Sequence, residues 1–396
     1  MRRTVLLLAS MAVAMLLACG FALALPSETL DKTPMVNGTV RAIEHVGTNI
    51  WLGGKFTQVK QCSNPNKPTL NVSNLAVIDS NTNECKNFPL PTLGGTGAEV
   101  WDMTLYGEDV LIAGKFSGTS STQKNLVLVN GKTGDVIRWY NSPSLKSVLA
   151  APDLGRVYGG GVSLTAFDKD SGTKLWTNAK TTVNTTRYPD APSPGYRDLE
   201  LDGSTIWAAC ACDAVGGKAA KVLVKLRATD GGQDTSWLAQ ADPASWGMSV
   251  VEDNGALYLG AGGSDYLAKY DKSSRGARVW RVDTSGSVQV VEVMDGPDGK
   301  QLVIGGHFWK VANQADQPNV SCGHGRSDQL DPDGKCETRK GIAAYSFGGS
   351  LKDWSWTYAG KYSLVWALHV DGARLHTGGE FLTVNGVTQN YYARLS

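Results

Sequence analysis

The sequence predicts an all-β fold: a seven-bladed β-propeller of four-stranded antiparallel blades, closed by an N-terminal strand on the last blade. Three observations support this prediction. An apolar strand ending in small residues recurs seven times along the 396 residues, roughly every fifty residues. A turn followed by an aromatic residue recurs within the same units. The chain also ends one strand short of a complete last unit.

The recurring strand ends in a pair of small residues, which Phe follows in the clearest copies. Ile50–Phe56 is one clear copy and Leu375–Phe381 is another. A repeat of about fifty residues matches the length of a four-stranded propeller blade. The first small residues of the seven copies are Gly53, Ala113, Gly160, Ala209, Gly260, Gly305 and Gly378.

The second landmark predicts where the outermost strand of a unit begins. An Asn or Gly at the turn supplies the positive φ of a tight hairpin. The aromatic residue after it is expected to pack against the neighbouring blade. The pairs are Asn83 with Phe88, Gly134 with Trp139, Gly172 with Trp176, Gly232 with Trp237, Gly276 with Trp280 and Gly349 with Trp354.

The two ends of the chain are predicted to complete one blade together. Tyr392–Leu395 is the third strand of the last unit, and no residues remain for a fourth. Leu25–Asn37 stands where other units have their fourth strand, so it should pair with the last blade and remove an open edge. Residues 25–396 are therefore expected to form a single domain. Two separate β domains are the alternative, which the even repeat disfavours.

Two resemblances follow from these repeats. The glycine pair, variable residue and Phe at Gly53–Phe56 and Gly378–Phe381 resemble bacterial delta-60-type propeller repeats, whose function is unknown. Leu164–Trp176 resembles the repeat of quinoprotein-like (PQQ-like) propellers. Together they cover nearly all of the mature chain as a repeat pattern and imply an exported bacterial propeller. They place no catalytic motif on these residues.

The N-terminus is typical of an export signal, so residues 1–24 are predicted to be a signal peptide and the protein to be secreted. Arg2 and Arg3 precede an apolar segment of signal-peptide length, and a small-x-small cleavage site ends at Ala24. The alternative is a lipid anchor on Cys19, since Leu16–Cys19 resembles a lipoprotein box. No later stretch is long and apolar enough for a transmembrane helix.

Charge and composition narrow the classes of partner. The formal net charge is +1, and charged residues make up 19% of the chain. This balance gives no basic excess for nucleic acid or an anionic membrane. We expect a monomer whose partner is a protein or a carbohydrate.

The cysteines agree with export. Six remain after Cys19, and an even number in an exported chain indicates disulfides. Cys62 is expected to pair with Cys85, and Cys322 with Cys336, because the members of each pair are close in an unusually long unit. Cys210 and Cys212 stay open, since a bridge between alternate residues of one strand would be strained.

A search for catalytic motifs finds none. The chain has no H-E-x-x-H, G-x-S-x-G or Walker sequence, and its five histidines are scattered singly. The insertion between Trp309 and Lys340 offers a candidate calcium site, because clustered carboxylates and a glycine turn suit that ion. Its candidate ligands are Asp328, Asp331 and Asp333. A disulfide-closed surface loop with solvated acids is the alternative, and calcium is the one cofactor that the residues suggest.

The innermost strands supply a second candidate site. Their period-two pattern places one face toward a central channel and buries the other. Groups at equivalent positions of a ring lie at similar heights, so these acids should crowd one space and hold a cation or a sugar-like ligand. The candidate residues are Glu44, Asp102, Asp198, Glu200, Glu292 and His369. The alternative is that channel water solvates them without consequence.

The function that these observations favour is a non-enzymatic exported propeller that presents a binding surface at the cell envelope or outside the cell. The alternative is an extracellular enzyme that acts on carbohydrate or uses a quinone cofactor. One fold hosts many functions, so the absence of a recognisable nucleophile, base or metal constellation decides for binding.

Overall fold

The computed structural model describes residues 25–26, 29–189, 191–296, 299–317, 320, 322–323, 334–360 and 364–396. The predicted signal peptide with Cys19, and the candidate calcium ligands Asp328, Asp331 and Asp333, lie outside these residues. The described chain is all-β, with antiparallel sheets and one short 3-10 turn at Pro152–Leu154. None of its helices could cross a membrane.

Seven sheets share a plan in which consecutive strands are neighbours, and we number them along the chain. Sheets 2, 3 and 5 have four strands and the others have three. Their strands are Thr39–Val46, Asn49–Lys55 and Leu75–Asp79 (sheet 1); Gly94–Tyr106, Asp109–Ser117, Lys124–Asn130 and Val136–Trp139 (sheet 2); Ser147–Ala151, Arg156–Gly160, Leu164–Asp168 and Lys174–Thr177 (sheet 3); Gly195–Asp202, Thr205–Ala211 and Leu223–Arg227 (sheet 4); Trp246–Asp253, Ala256–Gly262, Tyr266–Asp271 and Arg278–Asp283 (sheet 5); Val288–Gly296, Gly299–Gly306 and Ile342–Ser346 (sheet 6); Val365–Asp371, Arg374–Gly379 and Tyr392–Leu395 (sheet 7).

Four smaller sheets lie outside the seven numbered sheets. Each consists of a short hairpin or a pair of short strands, in three cases with one further strand beside it. They contain two or three short strands each. Their strands are Met35–Val36 with Gln58–Lys60 and Thr69–Asn71; Thr181–Thr182 with Ala214–Val215 and Lys218–Ala219; Lys310–Ala312 with Cys336–Thr338; and Tyr358–Ala359 with Thr383–Val384 and Val387–Thr388.

The first strands of the seven sheets pack against one another in chain order, and the first strand of sheet 7 packs against that of sheet 1. The recurring small residues permit this approach. A Cβ on Gly53 would lie 2.6 Å from Val100 of sheet 2, and one on Gly378 would lie 2.5 Å from Val40 of sheet 1. The core is accordingly divided into apolar clusters between adjacent sheets. The fold is propeller-like in this sense.

The prediction of four strands in every unit is wrong for sheets 1, 4, 6 and 7 as the structure has them. In the first three, the segment after the third strand makes one isolated bridge instead of a fourth strand. In sheet 1 this bridge joins Ile78 to Cys85, and Pro89 and Pro91 follow it. Because proline has no N–H to donate, pairing cannot continue regularly there.

The turn prediction holds at five of its six positions. Asn83, Gly134, Gly172, Gly276 and Gly349 have positive φ angles. In sheet 4 the positive φ belongs to Gly231 (69°) and not to Gly232, whose N–H is held by the Asp230 side chain at 2.8 Å. The predicted contact with a neighbouring sheet is present where Trp280 donates to the carbonyl of Phe347 at 3.2 Å.

The N-terminal segment divides between two sheets. Leu30 bridges Leu395 of the last strand, and the N–H of Asp31 donates to the carbonyl of Arg394 at 3.1 Å. Met35–Val36 instead pairs with Gln58–Lys60 beside sheet 1. The segment thus contacts the last strand as the sequence suggested, but through a single bridge, and it then crosses to the first sheet.

Three cysteine pairs are disulfide-bonded in the structure: Cys62 with Cys85, Cys210 with Cys212, and Cys322 with Cys336. The first closes a loop of 23 residues, which should add about 3 kcal/mol by loop entropy. The second is the pair that sequence reasoning left open. Its Cα atoms lie 5.4 Å apart, within the range of ordinary disulfides.

Candidate functional site

The first strands of the sheets line a cavity of about 290 Å³ that is open to one side. All six channel residues singled out in the sequence line it: Glu44, Asp102, Asp198, Glu200, Glu292 and His369. They come from sheets 1, 2, 4, 6 and 7, so the structure brings together residues that lie far apart in the chain. The same cavity is lined by a second group that the sequence analysis missed.

This second group arises from a repeated β-bulge. In six of the first strands the pairing register shifts near the start, which leaves one extra residue in the first strand. A bulge redirects the side chain of its extra residue, and all six line the cavity. With Lys146, which precedes the first strand of sheet 3, they form what we call the bulge ring: Arg41, Trp101, Lys146, Arg197, Met248, Gln289 and Trp366.

Two tryptophans contact two of the three basic side chains of the bulge ring. The Arg41 guanidinium lies between two indoles, 4.1 Å from the ring centre of Trp101 and 4.3 Å from that of Trp366. The Lys146 ammonium lies 2.9 Å from the ring centre of Trp101. Arg41 also forms an ion pair with Glu99. Such cation–π contacts fix the position of a cation without neutralising it.

Lys146 and Arg197 have no carboxylate ion-pair partner among the described residues. Burial and the nearby charge of Arg197 lower the pKa of Lys146 to about 7. Burial also lowers the pKa of Arg197. The bulge ring therefore concentrates positive charge in a space that penalises it, which an entering anion would relieve.

Three N–H groups of the bulge ring are buried and have no hydrogen-bond partner in the described part of the chain. They are Nη1 of Arg41, Nε of Arg197 and Nε1 of Trp366. Buried polar groups are almost always hydrogen-bonded, because an unpaired one costs about 1–3 kcal/mol. All three are donors, so the group that satisfies them must be an acceptor.

The aspartates next in the strands connect adjacent sheets. Asp102 accepts the backbone N–H of Val148 in sheet 3 at 2.7 Å. Asp198 accepts the N–H of Val250 and the hydroxyl of Ser249 in sheet 5, both at 2.9 Å. Burial raises the pKa of both carboxyls. Their lone pairs are largely used within the protein, so they are less suited to a ligand than the sequence suggested.

Three glutamates two residues further along form the carboxyl layer: Glu44, Glu200 and Glu292. Burial raises the pKa of Glu200 to about 8, and nearby acids led by Asp198 add to the effect. Burial and Asp198 likewise raise the pKa of Glu292 to about 8, and burial raises that of Glu44. At pH 7 the carboxyls of Glu200 and Glu292 are therefore mostly protonated, and a protonated carboxyl can donate as well as accept hydrogen bonds.

Three of the five histidines gather at the contact between sheets 1 and 7. The ring centres of His45, His369 and His376 lie 6.1 to 6.4 Å apart. The interpretation that the histidines are scattered holds for the sequence but is wrong for the structure, because facing strands bring these three together. Burial lowers the pKa of His369 to about 4, so its ring is neutral at pH 7.

The described residues contain no group of three or more His, Cys, Asp or Glu side chains that could hold a metal ion. The carboxyl layer therefore gives no support to a channel cation. Its raised pKa values point the same way, because calcium favours ionised carboxylates.

The sequence does contain a pattern that marks the bulge ring, but the alternation of strand faces does not detect it. Period-two alternation predicts the channel face of a regular strand, and the extra residue of a bulge breaks that alternation. Aligned on the small residues, four of the seven copies carry Arg or Trp at this one position: Arg41, Trp101, Arg197 and Trp366.

No family model matches this chain, and no curated protein matches it. Among solved structures it is similar to the computationally designed Ika8 protein, with 11% identity, a TM-score of 0.50, and coverage of 90% of this chain and 91% of that one. It is also similar to BamB from Moraxella catarrhalis, with 10% identity, a TM-score of 0.46, and coverage of 92% and 98%. At 11% identity, the similarity to the Ika8 protein concerns the fold alone.

Proposed function

We propose that this protein is an exported, non-enzymatic seven-bladed β-propeller that binds a small polar ligand in its central channel. Each numbered sheet is one blade, and the contact of sheet 7 with sheet 1 supports a closed ring. The segment from Leu30 to Val36, which touches the last strand and then pairs beside sheet 1, supports closure by the N-terminus. The disulfides and the predicted signal peptide support export.

The observation that carries the binding function is the convergence of polar groups on one cavity. Buried cations and unpartnered donors lie at one level, and protonated carboxyls lie at another. A small concave site with a few convergent polar groups and displaced pKa values is typical of ligand binding. At about 290 Å³, the cavity is near the lower end of the ~300–1,000 Å³ range of ligand pockets.

A channel-filling variant tests this proposal. Thr104 lines the cavity and is half-buried, so Thr104→Trp should occupy the ligand space. Thermal shift and calorimetry with a panel of sugars and organic acids should find compounds that bind the native protein and not this variant. The exposed Thr186→Trp is the matched control and should bind normally. Val251→Trp, also in the lining, replaces Thr104→Trp if that protein does not fold. Binding that is insensitive to both channel variants would refute the proposal.

A further inference from the structure

We infer that the bulge ring binds the carboxylate of a sugar acid, a hexuronate, while the carboxyl layer contacts its hydroxyls. This inference rests on the proposed channel function and names the class of ligand. It follows from three features of the cavity: basic side chains of which two have no carboxylate partner among the described residues, unpartnered donors, and neutral carboxyls a short distance along the same strands.

The positive end of the cavity selects an anion. Arg41 of sheet 1, Lys146 just before sheet 3 and Arg197 of sheet 4 all line the cavity, and the carboxylates of Glu99 and Glu380 form ion pairs with Arg41 alone. The guanidinium of Arg197 donates to the backbone carbonyl of Ser193 at 2.7 Å, and its Nε remains unpartnered. A planar carboxylate offers two acceptor oxygens in the geometry that guanidinium forks bind.

The unpartnered donors set the kind of ligand atom required. Nη1 of Arg41, Nε of Arg197 and Nε1 of Trp366 can be satisfied only by acceptor atoms. A carboxylate is a pure acceptor, whereas an amine or a second cation would leave these groups unpaired and add repulsion. The positive charge of the bulge ring and its unpartnered donors therefore both favour a carboxylate.

The carboxyl layer limits what the rest of the ligand can be. Glu200 and Glu292 lie three residues beyond the bulge positions of their strands. The Cα atoms are therefore about 10 Å further along an extended strand. A neutral carboxyl can donate to one hydroxyl and accept from another, and it repels no neutral group. A second anion there would lose its hydration without gaining a cation. An anionic head with a hydroxylated body satisfies both levels.

The size of the cavity favours a monosaccharide unit. Its volume of about 290 Å³ leaves little room for a long chain inside the channel. The ligand could be a free hexuronate or the terminal unit of an acidic polysaccharide, because both present the same carboxylate and hydroxyls. The experiment below separates these sources.

Calorimetric titration tests the inference with D-glucuronate and D-galacturonate, against D-glucose and D-galactose as neutral matches. A hexuronate should bind roughly tenfold or more tightly than its neutral match. Lys146→Met and Arg197→Gln should each weaken hexuronate binding about tenfold and weaken neutral-sugar binding less, so that the preference for the acid falls. Lys60→Met, an exposed lysine outside the cavity, is the matched control and should change neither. A glucuronate-terminated oligosaccharide, compared with free glucuronate, identifies the source.

A second readout is the number of protons that the protein takes up when the ligand binds. An anion beside Lys146 should raise its lowered pKa, so binding at pH 7.5 should take up protons. Titrations in buffers of different ionisation enthalpy measure this uptake, and Lys146→Met should reduce it. If neutral sugars bind as tightly as hexuronates in a Thr104→Trp-sensitive manner, the inference is wrong and the channel function stands. If no compound of the wider panel shows channel-dependent binding, the proposed function itself fails.

Discussion

The Asp198 carboxylate accepts the backbone N–H of Val250 at 2.9 Å, although the two residues belong to the first strands of adjacent sheets. Asp102 and Val148 make the equivalent contact between sheets 2 and 3 at 2.7 Å. The hydroxyl of Ser249 extends the series, because it accepts the N–H of Val291 in sheet 6 at 3.2 Å. The position after the bulge therefore joins neighbouring sheets in several units, which links the channel lining to the stability of the fold.

The first prediction concerns Asp198. Asp198→Ala removes the acceptor for Val250, for the hydroxyl of Ser249 and for the N–H of Leu199. Leaving these donors unpaired should lower the free energy of unfolding by about 2–4 kcal/mol, and Asp198→Asn should cost less because one oxygen remains. Urea denaturation measures both. Asp170→Ala, whose side chain is 82% exposed, is the control and should change stability by less than about 0.5 kcal/mol. A loss below about 1 kcal/mol in Asp198→Ala would contradict the connecting role.

The features that could be predicted from the sequence are those that recur with a regular period. The seven recurring strands and the cavity position of Glu44, Glu200, Glu292 and His369 follow from counting repeats and alternating faces. The bulge ring does not, because an inserted residue is invisible to a period-two rule. The pairing of Met35–Val36 beside sheet 1 was also beyond reach, since a short segment next to two sheets gives no local sign of which edge it joins.

Charge placement shows the same limit. The acids of the inner strands could be assigned to one space, but the hydrogen bonds of Asp102 and Asp198 to the next sheet depend on registers between sheets. The histidine cluster depends on three strands meeting, two of them from sheet 7 and one from sheet 1. Such contacts come from tertiary packing, and no spacing within the sequence encodes them.

The second prediction follows from the raised pKa values of the carboxyl layer. Glu200 and Glu292 have pKa values of about 8 in the folded protein, against 4.5 without the fold. Between these values the folded state binds more protons than the unfolded state. The contribution of each glutamate to the free energy of unfolding is therefore complete below pH 4.5. It is lost as pH rises from 4.5 to 8, at about 1.4 kcal/mol per pH unit. Glu200→Gln with Glu292→Gln should remove this loss.

The measurement is chemical denaturation of both proteins between pH 5 and 8.5. Lys146, with a lowered pKa of about 7, contributes with the opposite sign above pH 7. It is present in both proteins, so the difference between them isolates the glutamates. The variant should gain stability relative to the native protein as pH rises. Parallel pH profiles would show that the two carboxyls are already ionised at neutral pH.

The third prediction concerns His376, which is fully buried and lies within 2.9 Å of the Tyr392 hydroxyl through Nδ1. Burial and the nearby charges of His369, Arg394, His45 and Arg374 hold its pKa well below 6.5. The unfolded chain therefore binds a proton below pH 6.5 that the folded protein refuses. The contribution of His376 to the free energy of unfolding should therefore fall as pH drops from 6.5, by about 1.4 kcal/mol per pH unit, whereas Glu200 and Glu292 contribute with the opposite sign in this range.

His376→Gln should remove this contribution, so that the free energy of unfolding increases less with pH than in the native protein, while the glutamine keeps a polar partner for Tyr392. His369, with a pKa of about 4, and Asp371, 4.0 Å from Nε2 of His376, remain in both proteins. The slope of the free energy of unfolding between pH 5 and 6.5 is compared, so a constant loss of stability in the variant does not affect the result. An unchanged slope would mean that His376 is protonated in the folded state.

The fourth prediction concerns the N-terminal segment that we propose closes the ring. The Asp31 carboxylate accepts Nε–H of Arg394 and the hydroxyl of Ser396, both at 2.6 Å, and Nη1 of Arg394 donates to the carbonyl of Ser80 at 2.6 Å. Arg394 is 8% exposed, so removing its partner leaves a nearly buried charge unpaired, at a cost of about 3–5 kcal/mol.

Deleting residues 26–34 should therefore lower stability and expose the edge of Tyr392–Leu395, which favours aggregation. Asp31→Asn tests the loss of the charge without exposing the strand edge, because the backbone contact with Arg394 remains. This variant should be less stable than the native protein and should not aggregate. Melting curves and light scattering of the native, truncated and Asp31→Asn proteins measure these effects. A truncated protein that stays monomeric and melts as the native one does would contradict closure by the N-terminal segment.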